Sequence, residues 1–190
     1  QDAMERFCLQ KVLWIPASVP PHKTPADIVC AQDRVEMLRL AVSGNDRFEV
    51  WEDEIRRGGV SYSVDTVRRL RAAHPGNEYF FIIGGDTLFE LHTWREIYTL
   101  LGLCEFVTLA RPGFRVEAVD QASLRLDPPW PERLLKNVMT GHLIEISSTD
   151  IRQRVAKGLR IRYLVPDLVE KYIIDHDVYA KDGEMKRSKL

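Results

Sequence analysis

Two kinds of apolar pattern alternate along the chain. Short, continuous apolar runs occupy residues 11–15 (KVLWI), 47–51 (RFEVW), 79–83 (YFFII), 104–110 (CEFVTLA) and 142–146 (HLIEI). Between and after them, apolar residues recur at helical spacing in residues 31–42, 63–73, 88–101, 149–158 and 165–176. Short apolar runs bounded by Gly or Pro predict buried strands, and the helical spacing predicts amphipathic helices.

Strands that are apolar throughout and alternate with helices predict an α/β fold. We expect a Rossmann-like, doubly wound parallel sheet with helices on both faces and further helices at the C-terminus. The chain contains no internal repeat or linker, so we predict a single domain over residues 1–180, followed by a charged tail at 181–190. Residues 114–140 lack a clear pattern, and we expect them to be irregular or weakly helical.

Composition narrows the classes of function. The chain has 190 residues, of which 45% are hydrophobic, and its net charge is -1. That balance argues against a nucleic-acid or membrane partner. Cys8, Cys30 and Cys104 show no metal-binding spacing. We expect them to be free thiols, packed as small core residues, in the reducing cytoplasm.

In a doubly wound sheet, ligands bind beyond the carboxyl ends of the strands. The loop after the first strand, IPASVPPHK, carries His22 and Lys23, which offer a donor and a charge for an anionic ligand. An ordinary proline-rich surface loop is the alternative. The next loop, RGGVSYSVDT, brings Tyr62 and Ser63 to a helix start. Ser63 is expected to cap that helix, whose free N–H groups also suit a carboxylate.

The strongest strand ends at Gly84, Gly85 and Asp86. Two glycines allow a ligand to approach the backbone closely, and the carboxylate suits ribose hydroxyls, although an acid at a helix start is also an ordinary cap. The pattern is not GxGxxG, so it does not indicate a dinucleotide site. Trp94 offers a ring for stacking or for the core, and Arg111 offers a guanidinium for a phosphate or carboxylate.

Three hydroxyl residues, Ser147, Ser148 and Thr149, precede the helix that contains Arg152. One hydroxyl is enough to cap a helix, so two remain. Together with the N–H groups of the first turn and the charge of Arg152, they form a set of donors suited to a triphosphate. Each of these motifs is weak alone, but all five lie at predicted strand ends of one sheet.

In this order, the segments IPASVPPHK, RGGVSYSVDT, FIIGGDTLFELHTW, ARPG, ISSTDIRQRV and IRYLVPDLVEKYI resemble the bacterial nicotinate-nucleotide adenylyltransferases, which are also called deamido-NAD pyrophosphorylases. The resemblance runs from about Lys11 to Tyr179. It implies an enzyme of the nucleotidyltransferase superfamily that uses Mg2+ and joins ATP to nicotinate mononucleotide, giving deamido-NAD and pyrophosphate. A homodimer is one option that the sequence leaves open.

The resemblance also implies roles for individual residues. Trp94 matches the residue that stacks on the nicotinate ring, Tyr62 and Ser63 lie where backbone amides receive its carboxylate, and Asp86 matches the acid near the nucleotide riboses. The substrate-binding positions implied are His22, Lys23, Tyr62, Ser63, Trp94 and Arg111. The ATP-binding positions implied are Gly84, Gly85, Asp86, Ser147, Ser148, Thr149 and Arg152.

One departure concerns the catalytic signature. The family's GxFDPxHxGH loop does not occur among these residues, so no catalytic residue is assigned, and we expect about twenty residues carrying that loop to precede Gln1. Two alternatives stay open. Phosphopantetheine adenylyltransferase, a sister enzyme, has no use for Trp94 or the carboxylate loop. A nucleotide-binding regulatory domain fits only if the signature is absent from the gene.

Overall fold

The structure is a computed structural model that describes residues 1–21, 29–110, 114, 119–142 and 144–180. In chain order, its helices, strands and longer 3-10 turns are α1 (Asp2–Arg6), β1 (Val12–Trp14), α2 (Ala31–Val42), β2 (Phe48–Val50), α3 (Asp53–Arg57), α4 (Ser63–Ala73), β3 (Phe80–Gly84), α5 (Gly85–Leu88), a 3-10 turn (Leu91–Thr93), α6 (Ile97–Leu103), β4 (Glu105–Ala110), a 3-10 turn (Gln121–Leu124), α7 (Trp130–Lys136), β5 (Val138–Thr140), α8 (Ser148–Ala156) and α9 (Asp167–Asp175).

These elements divide between two compact units. Unit 1 comprises Gln1–Gln10 and Gly59–Leu143, and unit 2 comprises Lys11–Gly58 and Ile144–Leu190. The single domain expected over residues 1–180 stays a prediction.

Unit 1 is built on a parallel sheet of three strands in the order β3-β4-β5. On one face, Phe106 of β4 belongs to a core that includes Val64 of α4 and Leu100 of α6. On the other face, Val107 packs with Ala3 of α1. Neighbouring residues of a strand point to opposite faces, so helices cover both sides of this sheet, as predicted.

Unit 2 contains a parallel pair of strands, β1 and β2, in which Val12 lies opposite Phe48. Helix α2 packs against β2 and α9. The core of this unit includes Ile151 of α8 and Ile173 of α9, with the partly buried Met37 of α2 against them. Parallel strands with covering helices confirm the predicted α/β class.

Helices α2 and α4 begin and end where the sequence predicts. The reason is visible in α4, whose Val64, Val67 and Leu70 recur at helical spacing and are all at least 94% buried. Ser63, however, is the first residue of α4 rather than its cap. Tyr62 occupies the cap position, so the expected capping role of Ser63 is wrong.

The single helix predicted over residues 88–101 is also wrong. The structure has α5, the 3-10 turn Leu91–Thr93 and α6 in its place. Trp94 is extended, with φ -74° and ψ 142°, and Glu96 has a left-handed backbone with φ 50°. Neither conformation continues a helix, so the chain turns between Trp94 and α6.

The strand predicted at residues 142–146 does not form within the described residues. The third strand of unit 1 is β5, which lies inside the stretch expected to be irregular. Met139 of β5 is 8% exposed, whereas Ile144 is 74% and Ile146 is 44% exposed. The segment buried against the sheet is therefore the earlier one. The same stretch contains α7 and the 3-10 turn Gln121–Leu124.

All three cysteines are free, as predicted, but only one is a core residue. Cys104 is buried, whereas Cys8 and Cys30 are exposed. Burial raises the pKa of the Cys104 thiol to about 12.

Candidate active site

The carboxyl end of β3 passes into α5 without an intervening residue. Gly84 ends the strand with an extended backbone, and Gly85 begins the helix. A Cβ atom on Gly85 would lie 2.8 Å from Cδ2 of Phe114, closer than such atoms approach. A larger residue here would therefore require the ring of Phe114 to move. Asp86 follows in the first turn of α5, with its side chain exposed.

The start of α4 presents backbone donors. The Tyr62 carbonyl oxygen accepts from the N–H groups of Asp65 at 3.1 Å and Thr66 at 3.3 Å. The N–H groups of Ser63 and Val64, at the first two helical positions, have no acceptor within the helix because no earlier turn exists. Free N–H groups at a helix start suit an anion, here a single carboxylate.

Trp94 is half-buried and held by two aromatic neighbours. Its ring packs edge-to-face on Phe81, with centroids 5.7 Å apart, and on Phe106, with centroids 6.4 Å apart. Trp94 and Tyr62 both pack against the same core of unit 1. The two side chains thus lie on one hydrophobic support, which fixes the indole while leaving part of it exposed.

Four charged side chains connect the start of α4 with the residues after Trp94. Arg68 binds Glu96 through both guanidinium nitrogens, at 2.5 and 3.3 Å, and lies 3.6 Å from Asp65. The Arg68 hydrogen bond lowers the pKa of Glu96. Arg95 lies over the Tyr62 ring, 4.6 Å from its centroid. The sequence does not indicate this network, because Arg68 and Glu96 lie 28 positions apart and Arg95 lies still farther along the chain from Tyr62.

In unit 2, the start of α8 separates the roles of the three hydroxyls. Ser147 is the cap, since its Oγ accepts from the backbone N–H of Asp150 at 3.0 Å. Thr149 Oγ1 accepts from Nη2 of Arg152 at 3.1 Å. The side chains of Ser147, Ser148 and Thr149 are exposed, while Ile151 is buried and anchors the helix. One hydroxyl therefore serves the helix, as predicted.

The second arginine of α8 has a different function. Arg154 donates from Nε and Nη2 to the carbonyl oxygen of Arg160, at 3.1 and 2.9 Å. It thereby ties the helix to the following loop, whereas Arg152 extends its donors toward the helix start. The sequence, which shows both arginines on one helix, does not separate these roles.

The predicted residues His22, Lys23 and Arg111 lie outside the described residues. The described residues that flank His22 and Lys23 in the sequence are held by an arginine that the sequence does not single out. Arg34 of α2 donates to the carbonyl oxygens of Ala17 at 2.5 Å, Ser18 at 3.1 Å and Val29 at 3.1 Å.

Arg34 therefore joins Ala17 and Ser18 to Val29, and these contacts of its guanidinium go to backbone carbonyl oxygens rather than to a carboxylate. Burial lowers the pKa of its guanidinium, which nevertheless stays charged. In the sequence Arg34 is only one polar position on an amphipathic helix, so no signal distinguishes it.

The structure thus groups the predicted residues by unit. In unit 1 it places Tyr62, Ser63 and Trp94 on one core, with Gly84, Gly85 and Asp86 at the end of β3. In unit 2 it places Ser147, Ser148, Thr149 and Arg152 at the start of α8.

Across the described ranges, no three His, Cys, Asp or Glu side chains lie close enough together to hold a metal ion. Among the helices of those same ranges, none is long and apolar enough to cross a membrane.

Comparison with known proteins gives the following relatives. The cytidylyltransferase-like family matches residues 1–154. A probable nicotinate-nucleotide adenylyltransferase of Geobacter sp. (strain M21) is 39% identical over 194 residues, which cover 95% of this chain and 89% of the relative. Another, from Opitutus terrae, is 42% identical over 181 residues, covering 94% and 87%.

Among solved structures, the nicotinic acid mononucleotide adenylyltransferase of Plasmodium falciparum complexed with NaAD is similar, with a TM-score of 0.67 and 16% identity. The match covers 94% of this chain and 90% of that structure. At this identity the similarity bears on the fold alone, and it agrees with parallel sheets flanked by helices.

Proposed function

We propose that this chain, which belongs to the cytidylyltransferase-like family and within it to the nicotinate-nucleotide adenylyltransferases, transfers AMP from ATP to nicotinate mononucleotide, giving deamido-NAD and pyrophosphate. The observation that carries this assignment is the 39% identity to a curated relative over 95% of the chain. The chain is accordingly a nucleotidyltransferase that acts in NAD biosynthesis.

The reaction requires the protein to position the two substrates more than to supply reacting groups of its own. The 5′-phosphate of the mononucleotide is already a nucleophile at neutral pH, and it attacks the α-phosphorus of ATP in line while pyrophosphate leaves. Neither a general base nor a covalent intermediate is needed. The protein has to align the two substrates and to stabilise the charge that develops on the leaving group.

Unit 1 supplies the proposed mononucleotide contacts. The indole of Trp94, fixed on Phe81 and Phe106, is suited to stack on the nicotinate ring. The N–H groups of Ser63 and Val64 are suited to its carboxylate. Unit 1 also supplies three of the proposed ATP-binding positions, Gly84, Gly85 and Asp86, and the carboxylate of Asp86, exposed at the end of β3, is suited to ribose hydroxyls.

Unit 2 supplies the proposed triphosphate contacts at the start of α8. With Ser147 used as the cap, the hydroxyls of Ser148 and Thr149, the N–H groups of the first turn and the guanidinium of Arg152 are available as donors. His22, Lys23 and Arg111 are proposed as further substrate contacts on the strength of their motifs.

Nucleotidyltransferases generally use a divalent metal with ATP, and we assign that role to Mg2+, which neutralises phosphate charge when bound. The described side chains form no cage for it, which supports entry with ATP. We further place the enzyme in the cytoplasm, with ATP and nicotinate mononucleotide as partners and no nucleic acid. Free cysteines and the net charge of -1 support these assignments.

The test is pyrophosphate release by the product of the complete gene, supplied with ATP and Mg2+. Nicotinate mononucleotide, nicotinamide mononucleotide and phosphopantetheine are compared as acceptors. Turnover with the first, and far less with the other two, is expected. Turnover with phosphopantetheine would overturn the assignment of Trp94 and the α4 start, and ATP binding without turnover would indicate a regulatory nucleotide-binding protein.

A further inference from the structure

Arg95 occupies a position beside the proposed carboxylate site to which neither the motifs nor the reaction assigns a function. Its guanidinium carbon lies 4.6 Å from the centroid of the Tyr62 ring, and Tyr62 is the residue that immediately precedes α4. We infer that Arg95 is a specificity-determining residue, which favours the carboxylate of nicotinate over the neutral amide of nicotinamide at the start of α4. This inference rests on the proposed function.

The position of Arg95 is set by anchored neighbours on both sides. Trp94 before it is packed on Phe81 and Phe106. Glu96 after it has a left-handed backbone and is held by both guanidinium nitrogens of Arg68. Because the residues on either side are fixed, the aliphatic part of the Arg95 side chain extends from the backbone in a defined direction, toward Tyr62.

Of the two arginines in this network, Arg95 and Arg68, Arg95 has the less completely paired charge. Among the described residues, the carboxylate oxygens nearest to it are those of Glu96 at 3.8 Å and Asp65 at 4.0 Å, both beyond hydrogen-bond distance. Arg68 approaches the same carboxylates at 2.5 and 3.6 Å. Glu96 is therefore engaged mainly by Arg68, whereas Asp65 is hydrogen-bonded to neither arginine, and among the described carboxylates none takes up the donors of Arg95, which suit another anion.

The physical basis of discrimination is the difference in charge between the two substrates. The N–H groups at the start of α4 can donate to either a carboxylate oxygen or an amide oxygen, so alone they separate acid from amide incompletely. A nearby cation attracts the carboxylate and is nearly indifferent to the amide. The Arg95 side chain is 52% exposed, so solvent and salt weaken this attraction.

The experiment compares kcat/KM for nicotinate mononucleotide with kcat/KM for nicotinamide mononucleotide, at low and high salt, in full-length enzyme. Arg95→Gln is expected to lower this acid-to-amide ratio by about 3- to 10-fold at low salt and by less at high salt. Arg95→Lys, which keeps the charge, is expected to restore most of the ratio.

Arg133→Gln is the matched control. Arg133 also lies over an aromatic ring, 4.8 Å from the centroid of Trp130, also forms an ion pair, with Glu105, and is 45% exposed. Its loss removes the same charge and the same type of contact elsewhere, and the acid-to-amide ratio is expected to stay unchanged.

The outcomes separate this inference from the function beneath it. If the wild-type enzyme turns over nicotinate mononucleotide but Arg95→Gln slows both substrates equally, Arg95 only supports Tyr62 and the specificity role is wrong. An unchanged ratio with unchanged rates contradicts it as well. If the wild-type enzyme does not use nicotinate mononucleotide at all, the proposed function itself fails.

Discussion

The Oγ atom of Ser147 accepts a hydrogen bond from the backbone N–H of Asp150 at 3.0 Å, and this contact caps α8. Ser147→Ala removes the acceptor and is expected to lower the free energy of unfolding by about 1 kcal/mol. Ser148→Ala, one residue later, is expected to leave stability unchanged while raising KM for ATP. Urea unfolding and initial rates measure the two quantities, and equal losses of stability would refute this division of roles.

The two arginines of α8 provide a second comparison. Arg152→Ala is expected to raise KM for ATP by about 10- to 100-fold, the loss of one charge-assisted hydrogen bond to phosphate, and to change KM for the mononucleotide little. Arg154→Ala, which breaks the bonds to the Arg160 carbonyl, is expected to lower stability and leave KM for ATP near wild type. Steady-state kinetics with each substrate varied in turn measures these KM values. A larger rise in KM for ATP in Arg154→Ala than in Arg152→Ala would assign ATP binding to Arg154 instead.

Trp94→Ala tests stacking. Base–aromatic stacking contributes about 1–3 kcal/mol, so KM for nicotinate mononucleotide is expected to rise about 5- to 150-fold, and KM for ATP far less. Phe81→Leu is the control for lost packing, because Phe81 supports the Trp94 ring. That variant keeps the indole but loses part of its support, so it is expected to lose stability and to raise KM for nicotinate mononucleotide relative to KM for ATP by less than Trp94→Ala does. Equal increases in both KM values in Trp94→Ala would exclude the stacking role.

Gly85→Ala tests the tight passage from β3 to α5. The added Cβ atom meets Cδ2 of Phe114 at 2.8 Å, so the variant is expected to lose about 1–3 kcal/mol of stability and to lose activity with it. In Gly102→Ala the added Cβ atom has no heavy atom within 4 Å. There the gain in helix propensity is expected to stabilise the protein by up to about 1 kcal/mol. Thermal unfolding compares the pair, and a neutral Gly85→Ala would show that Phe114 moves without cost.

Arg34→Gln tests the contacts that join Ala17 and Ser18 to Val29. Loss of three charge-assisted bonds to carbonyl oxygens is expected to raise KM for nicotinate mononucleotide at least tenfold, because His22 and Lys23 lie between those attachment points in the chain. Arg39→Gln, on the same helix, removes only exposed ion pairs with Glu36 and Glu52 and is expected to be nearly neutral. Kinetics that do not distinguish the two variants would show that Arg34 has no influence on substrate binding.

Local chemistry explains which parts of the fold the sequence predicts. The bounds of α2 and α4 depend on residues within a few positions of one another and were predicted correctly. The sequence also predicted that one of Ser147, Ser148 and Thr149 caps α8, and the structure gives that role to Ser147. The break at Glu96 was not predicted, because its partner Arg68 lies 28 residues away. The position of β5 was missed for a similar reason. Its Met139 is buried by Val107 and Ala3, which are distant in sequence.

For the candidate site as well, the sequence predicts the features that depend on residues close together in the chain. Motifs point to Trp94, Asp86 and the hydroxyls before α8, since each follows a recognisable strand or precedes a recognisable helix. They do not point to Arg34 or Arg95. Those two residues are ordinary helix and loop cations in the sequence, and only folding brings them to the carbonyl oxygens or the aromatic ring that they contact.

Following isotopic label from ATP into the product is the most direct test of adenylyl transfer. The full-length enzyme is incubated with nicotinate mononucleotide and ATP carrying the label either at the α-phosphorus or at the γ-phosphorus. Attack at the α-phosphorus predicts that the first label appears in deamido-NAD and the second in pyrophosphate. Label from the γ-phosphorus in the nucleotide product, or no labelled dinucleotide, would contradict the assignment of this chain as an adenylyltransferase.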